Sequence, residues 1–268
     1  MACRESSIQF LREDGYTPIR VPRERIKPMD LIGRLPGAAR PKQIGSLLEI
    51  VVPRPGVSPP EIVADEVVSE VSGKKTDKLD IGIGLNLLGT IFRALGAVSA
   101  SLSAAFSSAR HVEFVYEDVL SDSVSILGLR GFLGKHPPLD PDNPAVADYF
   151  IGDGQVVVIT RTLKSNSFSV LATDDQGRKV DIDVGVLGKD LAKGGVAASK
   201  DSEKKVSFKG GKHLVFAFQG QLLHIDSGGL KVGDVDLPAE MGTFAARPRL
   251  PGESRPVVLG YGGLVSLD

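Results

Sequence analysis

The second half of the chain leaves little freedom in its secondary structure. GQVVVITRTLKS, SFSVLA and KVDIDVGV are short apolar runs separated by turn residues such as DDQG, and in the third Val180, Ile182 and Val184 share one side while Asp181 and Asp183 take the other. A period of two is what a half-buried antiparallel sheet demands, because successive side chains point to opposite faces. After a lysine-rich loop from Lys189 to Lys205, KVSFKGGKHLVFAFQGQLLHID predicts two further strands, with Leu214, Phe216 and Phe218 facing one way.

The first half is more mixed. Ala2 to Asp14 reads as a short helix ended by Gly15, with Cys3, Phe10 and Leu11 on one side and Ile8 at its edge. Tyr16 to Pro60 contains nine prolines, which predicts loops and short edge strands, including Ser46 to Val52. From Glu61 onward Ile62, Val63, Val67, Val68 and Val71 look strand-like, and in LDIGIGLNL the residues Leu79, Ile81, Ile83, Leu85 and Leu87 alternate strictly. Leu88 to Ala109, built of Ala, Ser, Gly and Leu, predicts a small-residue helix; its serines and Arg93 make it a poor transmembrane span. A strand from His111 to Val119, a short helix from Val124 to Lys135 and the loop HPPLDPDNP complete the region. The expected fold class is α+β, a twisted antiparallel central sheet with short peripheral helices in a single domain.

Composition excludes several functions. With 32 basic and 33 acidic residues the net charge is -1, which speaks against nucleic acid as a partner. The charge is uneven, however: Arg20, Arg23, Arg25, Lys27, Arg34, Arg40 and Lys42 face only Glu24 and Asp30 between Gly15 and Gly45, a basic stretch that suits either a solvated loop or an anionic surface. One cysteine cannot form an internal disulfide, and no secretory signal is visible, so a resting protein in the cytoplasm is expected.

Catalytic and cofactor motifs fail on spacing. In IGIGLNLLG, Leu87 occupies the third glycine's place of a dinucleotide loop. In GLRGFLGKH, Gly128 lies one position too far from Gly134 and Lys135 for a phosphate loop, and His136 stands where a Ser or Thr should be, so a helix end is the better reading. His111, His136, His213 and His224 are dispersed, and no residue set predicts a metal, a cofactor or a catalytic centre.

The order of the pieces is informative: FLRE in a helix, a glycine and IRVP, a basic proline-rich stretch, long amphipathic strands, VVVITRTLKSNSFSV, and KKVSFKGGKHLVFAFQGQLLHID. This order resembles the gasdermins, and the short chain without a separate carboxy-terminal domain is similar to their bacterial branch, over roughly residues 1 to 230. The resemblance implies a pore-forming protein, not an enzyme, that rests as a monomer and is cut by a caspase-like or other protease. It then assembles with copies of itself into a large β-barrel in the lipids of the inner cell membrane, killing the cell in antiphage defence. It also implies that two regions, about Ile62 to Leu120 and about Gly154 to Phe208, refold into spanning hairpins. A lipid-anchored membrane-binding module that never inserts is the alternative.

The resemblance implies a covalent palmitate on Cys3. Ala2 is incompatible with amino-terminal myristoylation and Leu267-Asp268 with prenylation, so a thioester on Cys3 is the expected lipidation. One acyl chain anchors weakly, and the basic stretch could add a second, membrane-facing signal.

The resemblance also divides the chain into a pore-forming domain, 1–243, and a protease-sensitive loop with an autoinhibitory tail, 244–268. Cleavage is expected between Phe244 and Arg255, with Arg247, Arg249, Leu250 and Arg255 as candidates before the cut bond. The tail would bury Val257, Val258, Leu259, Tyr261, Leu264, Val265 and Leu267. A tethered segment of modest intrinsic affinity benefits from a local concentration in roughly the millimolar range, which one cut removes.

Overall fold

The computed structural model describes residues 9–233, apart from 39, 53–54, 77, 136–138, 141, 152–153, 202 and 227–228, together with Leu267. Helix α1 (Gln9–Glu13) leads to strands β1 (Thr17–Arg23), β2 (Asp30–Arg34) and β3 (Lys42–Ser46), then α2 (Leu47–Ile50) and β4 (Ile62–Val67). The short β5 (Leu79–Asp80) opens into α3 (Ile81–Ala94) and α4 (Leu102–Ala105), followed by β6 (His111–Glu117), β7 (Leu120–Val124) and α5 (Ile126–Leu133). One π-helical turn, Val146–Ile151, precedes β8 (Gln155–Thr173); α6 (Val184–Lys193), β9 (Ala197–Lys200), β10 (Val206–Asp226) and β11 (Gly229–Val232) follow.

Among the described residues all eleven strands join one antiparallel sheet organised on β8 and β10. Along one path the order is β1-β10-β8-β2-β3, while β6 and β7 pair β8 farther along, where β4 and β5 add to them. The expected α+β architecture is therefore present, and the pairs SFSVLA with GQVVVITRTLKS, and KVSFKGG with HLVFAF, are each a single long strand of 19 and 21 residues. Irregular register between Lys209 and Leu214, Val215 and Ala217, and Gln219 and Gly220 bends β10 against β8. Bulges of this kind raise local twist, which lets strands this long curl and contribute to several apolar clusters.

Several local expectations are corrected. LDIGIGLNL is a strand only at Leu79 and Asp80; from Ile81 it is helical, started by the Asp80 carboxylate accepting the Gly82 N–H at 2.8 Å. Its buried positions are Gly84, Leu88, Gly89, Ile91 and Phe92, a helical spacing that outcompetes the two-residue alternation because it faces a core containing Phe114, Phe168 and Phe208. The long small-residue helix is broken at Gly96, where φ is +84°. Ser46 to Val52 is the end of β3 followed by a helical turn, with Glu49 accepting the Ser46 N–H at 2.8 Å.

KVDIDVGV is likewise not a strand. Asp183 accepts the Val186 N–H at 3.1 Å and starts α6, so half of the supposed lysine-rich loop is helix and strand. By contrast GLRGFLGKH is a helix end, with the Gly134 N–H returning to Arg130 O, and Asp174 to Gly177 is a tight turn.

Candidate functional site

One face of β8 carries Val157, Ile159 and Leu163, and at its β10 side Val215, Phe218 and Leu222. Ile19 from β1, Ile32 from β2 and Ile26 from the loop between them close this surface into an apolar socket. Leu267 fills it, with 1% of its surface exposed. The Arg23 guanidinium donates a hydrogen bond to the Leu267 carbonyl oxygen, so the socket holds both the side chain and the backbone of that residue.

Beside the socket, Leu11 from α1 is buried with Tyr16, Val71, Val119, Leu163, Phe216 and Ala217. Tyr116 stacks on Phe216 with ring centroids 3.9 Å apart, and burial pushes the Tyr116 hydroxyl well above the ordinary tyrosine pKa. Leu11 and Leu267 thus pack on neighbouring parts of β8 and β10. Cys3, Arg247, Arg249, Leu250, Arg255, Val257, Val258, Leu259, Tyr261, Leu264 and Val265 lie outside the described residues.

The basic stretch runs along the sheet. Arg20, Arg25 and Lys27 are exposed near Arg23, whose β1 position leads through Val215 to the level of Lys164 on β8. Arg34 pairs with Gln155 and lies next to the level of Lys42, with Arg40 in the intervening loop. Lys164 and Gln155 are separated by nine steps along β8, about 30 Å at 3.3 Å per residue. The seven cations are therefore spread along the sheet rather than gathered at one point.

Charged side chains fasten strands in ways the sequence alone did not disclose. Lys164 reaches Asp122 of β7 at 2.7 Å and Asp65 of β4 at 2.8 Å, with only 16% of its side chain exposed. Burial pulls the ammonium pKa down, but the two carboxylates outweigh it and hold the group above the usual lysine value. Asp65 sits at φ +59°, a left-handed position on an edge strand that breaks its register against β7. Farther along, Ser165 donates to the Glu117 carbonyl, Ser169 to the Glu117 carboxylate at 2.5 Å, and Lys205 reaches that carboxylate at 3.3 Å, tying β6, β8 and the entry to β10 together.

A polar groove of about 640 Å³ opens beside the Lys164 clasp, lined among others by Arg25, Lys27, Asp30, Glu49, Asp122 and His213. Asp30 is buried at its floor, accepting the Lys27 N–H at 3.0 Å and the Gln43 amide at 2.9 Å; burial raises its pKa to about 6. Among the described residues no group of three His, Cys, Asp or Glu side chains could hold a metal ion. No described helix is long and apolar enough to cross a membrane, a statement that does not concern strands.

The arrangement has clear relatives. A chain called Gasdermin bGSDM from Vitiosangium sp. (strain GDMCC 1.1324) is 35% identical over 99% of this chain and 98% of its own length. Another of that name, from a Desulfuromonadales bacterium, is 28% identical over 85% of each chain. The solved structure of a bacterial gasdermin from Bradyrhizobium tropiciagri shares the fold, with a TM-score of 0.63 at 18% identity over 83% of this chain and 88% of that one. The family model for the Bacterial Gasdermin Family matches residues 19–230, which contain nearly all of the sheet, both long strands and the Arg23 wall of the socket, and the chain belongs to that family.

Proposed function

We propose that this protein is an autoinhibited pore former. In the resting state the tail occupies the sheet face; cutting between Phe244 and Arg255 by a caspase-like or other protease releases it. The freed domain then joins copies of itself into a β-barrel in the inner membrane, and the resulting loss of the permeability barrier kills the cell as antiphage defence. Palmitate on Cys3 and the basic stretch from Arg20 to Lys42 provide the membrane attachment that precedes insertion.

The observation that carries this reading is Leu267, the described residue of the tail, seated in a socket built by β1, β2, β8 and β10 and clasped by Arg23. Those strands include β8 and β10, which are 19 and 21 residues long and pair antiparallel from Val206 with Val170 to Leu223 with Val156. A membrane-spanning strand needs only about 9 to 11 residues, so each already exceeds that length. A closed barrel satisfies the backbone of every such strand without a free edge.

The test is dye release from liposomes of bacterial lipids. Intact protein should leave vesicles sealed, and protein cut once between residues 244 and 255 should empty them. Cut protein that binds vesicles and leaves them sealed would make it an anchored binding module instead.

A further inference from the structure

Helices α3 and α6 end in the same way. After α3, the Gly96 N–H returns to Arg93 O and the Ala97 N–H to Phe92 O; after α6, the Gly195 N–H returns to Ala192 O and the Val196 N–H to Leu191 O. Both are Schellman caps with a glycine at positive φ, +84° at Gly96 and +63° at Gly195. The two caps meet: a Cβ placed on Gly194 would fall 2.4 Å from the backbone nitrogen of Ala97, and one on Gly96 would fall 3.8 Å from Gly194 Cα. Only glycine permits that approach at position 194.

Hydrogen bonds then cross between the same segments along their length. The Val98 N–H donates to the Asp190 carbonyl at 3.2 Å, and the Ser101 N–H and hydroxyl both donate to one Asp190 carboxylate oxygen, at 2.9 and 2.5 Å. At the far end the Asp183 N–H donates to the Ala105 carbonyl at 3.1 Å. So α4 and the corner before it are bonded to α6 at both ends, above a shared core that includes Leu102, Phe106, Leu187 and Leu191.

We propose that this junction is an interlock: the segment from Ala97 to Ala105 and the segment from Asp183 to Val196 open together, and neither extends alone. The proposal rests on the pore reading only in its consequence. The first segment lies in one of the regions assigned to refold and the second in the other, so the interlock makes release of the two hairpins a single event rather than two. Partial release would expose half of a common apolar core and leave the Asp190 carboxylate without its donors, which penalises a protomer that unfolds one hairpin alone.

Hydrogen exchange on the full-length protein tests this directly. In the unsubstituted chain the amides of residues 97–106 and 184–196 should exchange with matching rates. Ser101→Ala should accelerate both segments about tenfold or more while β6 and β8 stay protected, since losing about 1.4 kcal/mol of junction stability is a tenfold change in opening. Gly194→Ala, which forces backbone apart, should do the same more strongly. Acceleration confined to the substituted segment, or absent from both, would overturn the interlock. For the pore, protein cut in the 244–255 loop should empty vesicles several-fold faster when it carries Ser101→Ala, and an unchanged rate would remove the functional role. If cut unsubstituted protein leaves vesicles sealed, the pore reading falls while the exchange data still decide the interlock.

Discussion

Arg23 and Leu267, 244 positions apart in the chain, are joined by a hydrogen bond from the guanidinium to the leucine carbonyl at the mouth of an apolar socket. This contact closes the chain's far end onto its first strand. A guanidinium matches a carbonyl geometrically and tolerates the half-buried position through its aliphatic stem. The leucine side chain provides the apolar part of the grip.

If this grip holds the resting state, Leu267→Lys should open it, because an ammonium has no partner among Ile19, Ile26, Ile32 and Phe218 and is repelled by Arg23. Uncut protein carrying the change should release dye from vesicles that the unsubstituted uncut protein leaves sealed. Leu267→Ala should act in the same direction and lower stability by about 2 to 4 kcal/mol. Sealed vesicles with either variant would separate the socket from autoinhibition.

The Lys164 clasp should be costly to break from one side. Lys164→Met leaves the half-buried Asp122 and exposed Asp65 facing each other without a cation. The expected loss is about 2 kcal/mol in urea unfolding, less than for a fully buried pair because Asp65 is 66% exposed. Adding Asp122→Asn should recover part of that loss, and a double variant no more stable than Lys164→Met would contradict the pairing.

Asp30 gives stability an unusual pH slope. Its folded pKa is raised to about 6 from 3.8, so protonation favours the folded state: its contribution is complete below the unfolded value and is lost as pH rises through about 6. The carboxyls of Asp65, Asp174, Asp181, Asp190 and Glu203 shift downward and act oppositely, but only at and below the ordinary carboxylate range. Between pH 6.5 and 5, roughly the span of one shifted group's titration, stability should therefore rise on acidification. Asp30→Asn should flatten that rise, measured by denaturant midpoint at each pH.

Gly84 explains why α3 can lie where it does. A Cβ there would approach Val112 Cγ2 to 1.9 Å, across the contact between α3 and β6. Gly84→Ala would gain roughly 1 kcal/mol of helix propensity yet force the helix off the strand, for a net loss of about 1 to 2 kcal/mol in thermal unfolding. A stabilised variant would show that the helix moves freely over the sheet.

Palmitate on Cys3 should appear as one acyl mass on intact protein from its native host, removed by hydroxylamine. A mass equal to the unmodified chain would exclude the modification.

Much of this molecule could be read without its coordinates. VVVITRTLKSNSFSV and HLVFAFQGQLLHID are runs rich in β-branched and aromatic residues, a composition that favours strands in a buried sheet. Gly15 as a stop, the turn at Asp174 and the helix before Gly134 are equally local, each set by a glycine or a capping side chain at short range. The order of these pieces was enough to identify the family to which the chain belongs.

Tertiary structure decided the rest, because those features depend on what lies opposite. LDIGIGLNL alternates like a strand, yet becomes α3 because a core with Phe114, Phe168 and Phe208 rewards burial of Leu88, Ile91 and Phe92 on one helical face. The strands that carry the basic stretch are consecutive in the chain but not in the sheet, where β10 and β8 lie between β1 and β2. Lys164 with Asp65 and Asp122, Ser101 with Asp190, and Arg23 with Leu267 are contacts between distant positions, and no spacing rule along the chain announces them. Residue type thus determined the long strands, and the choice of partners across the sheet was made only when those strands curled and brought distant residues together.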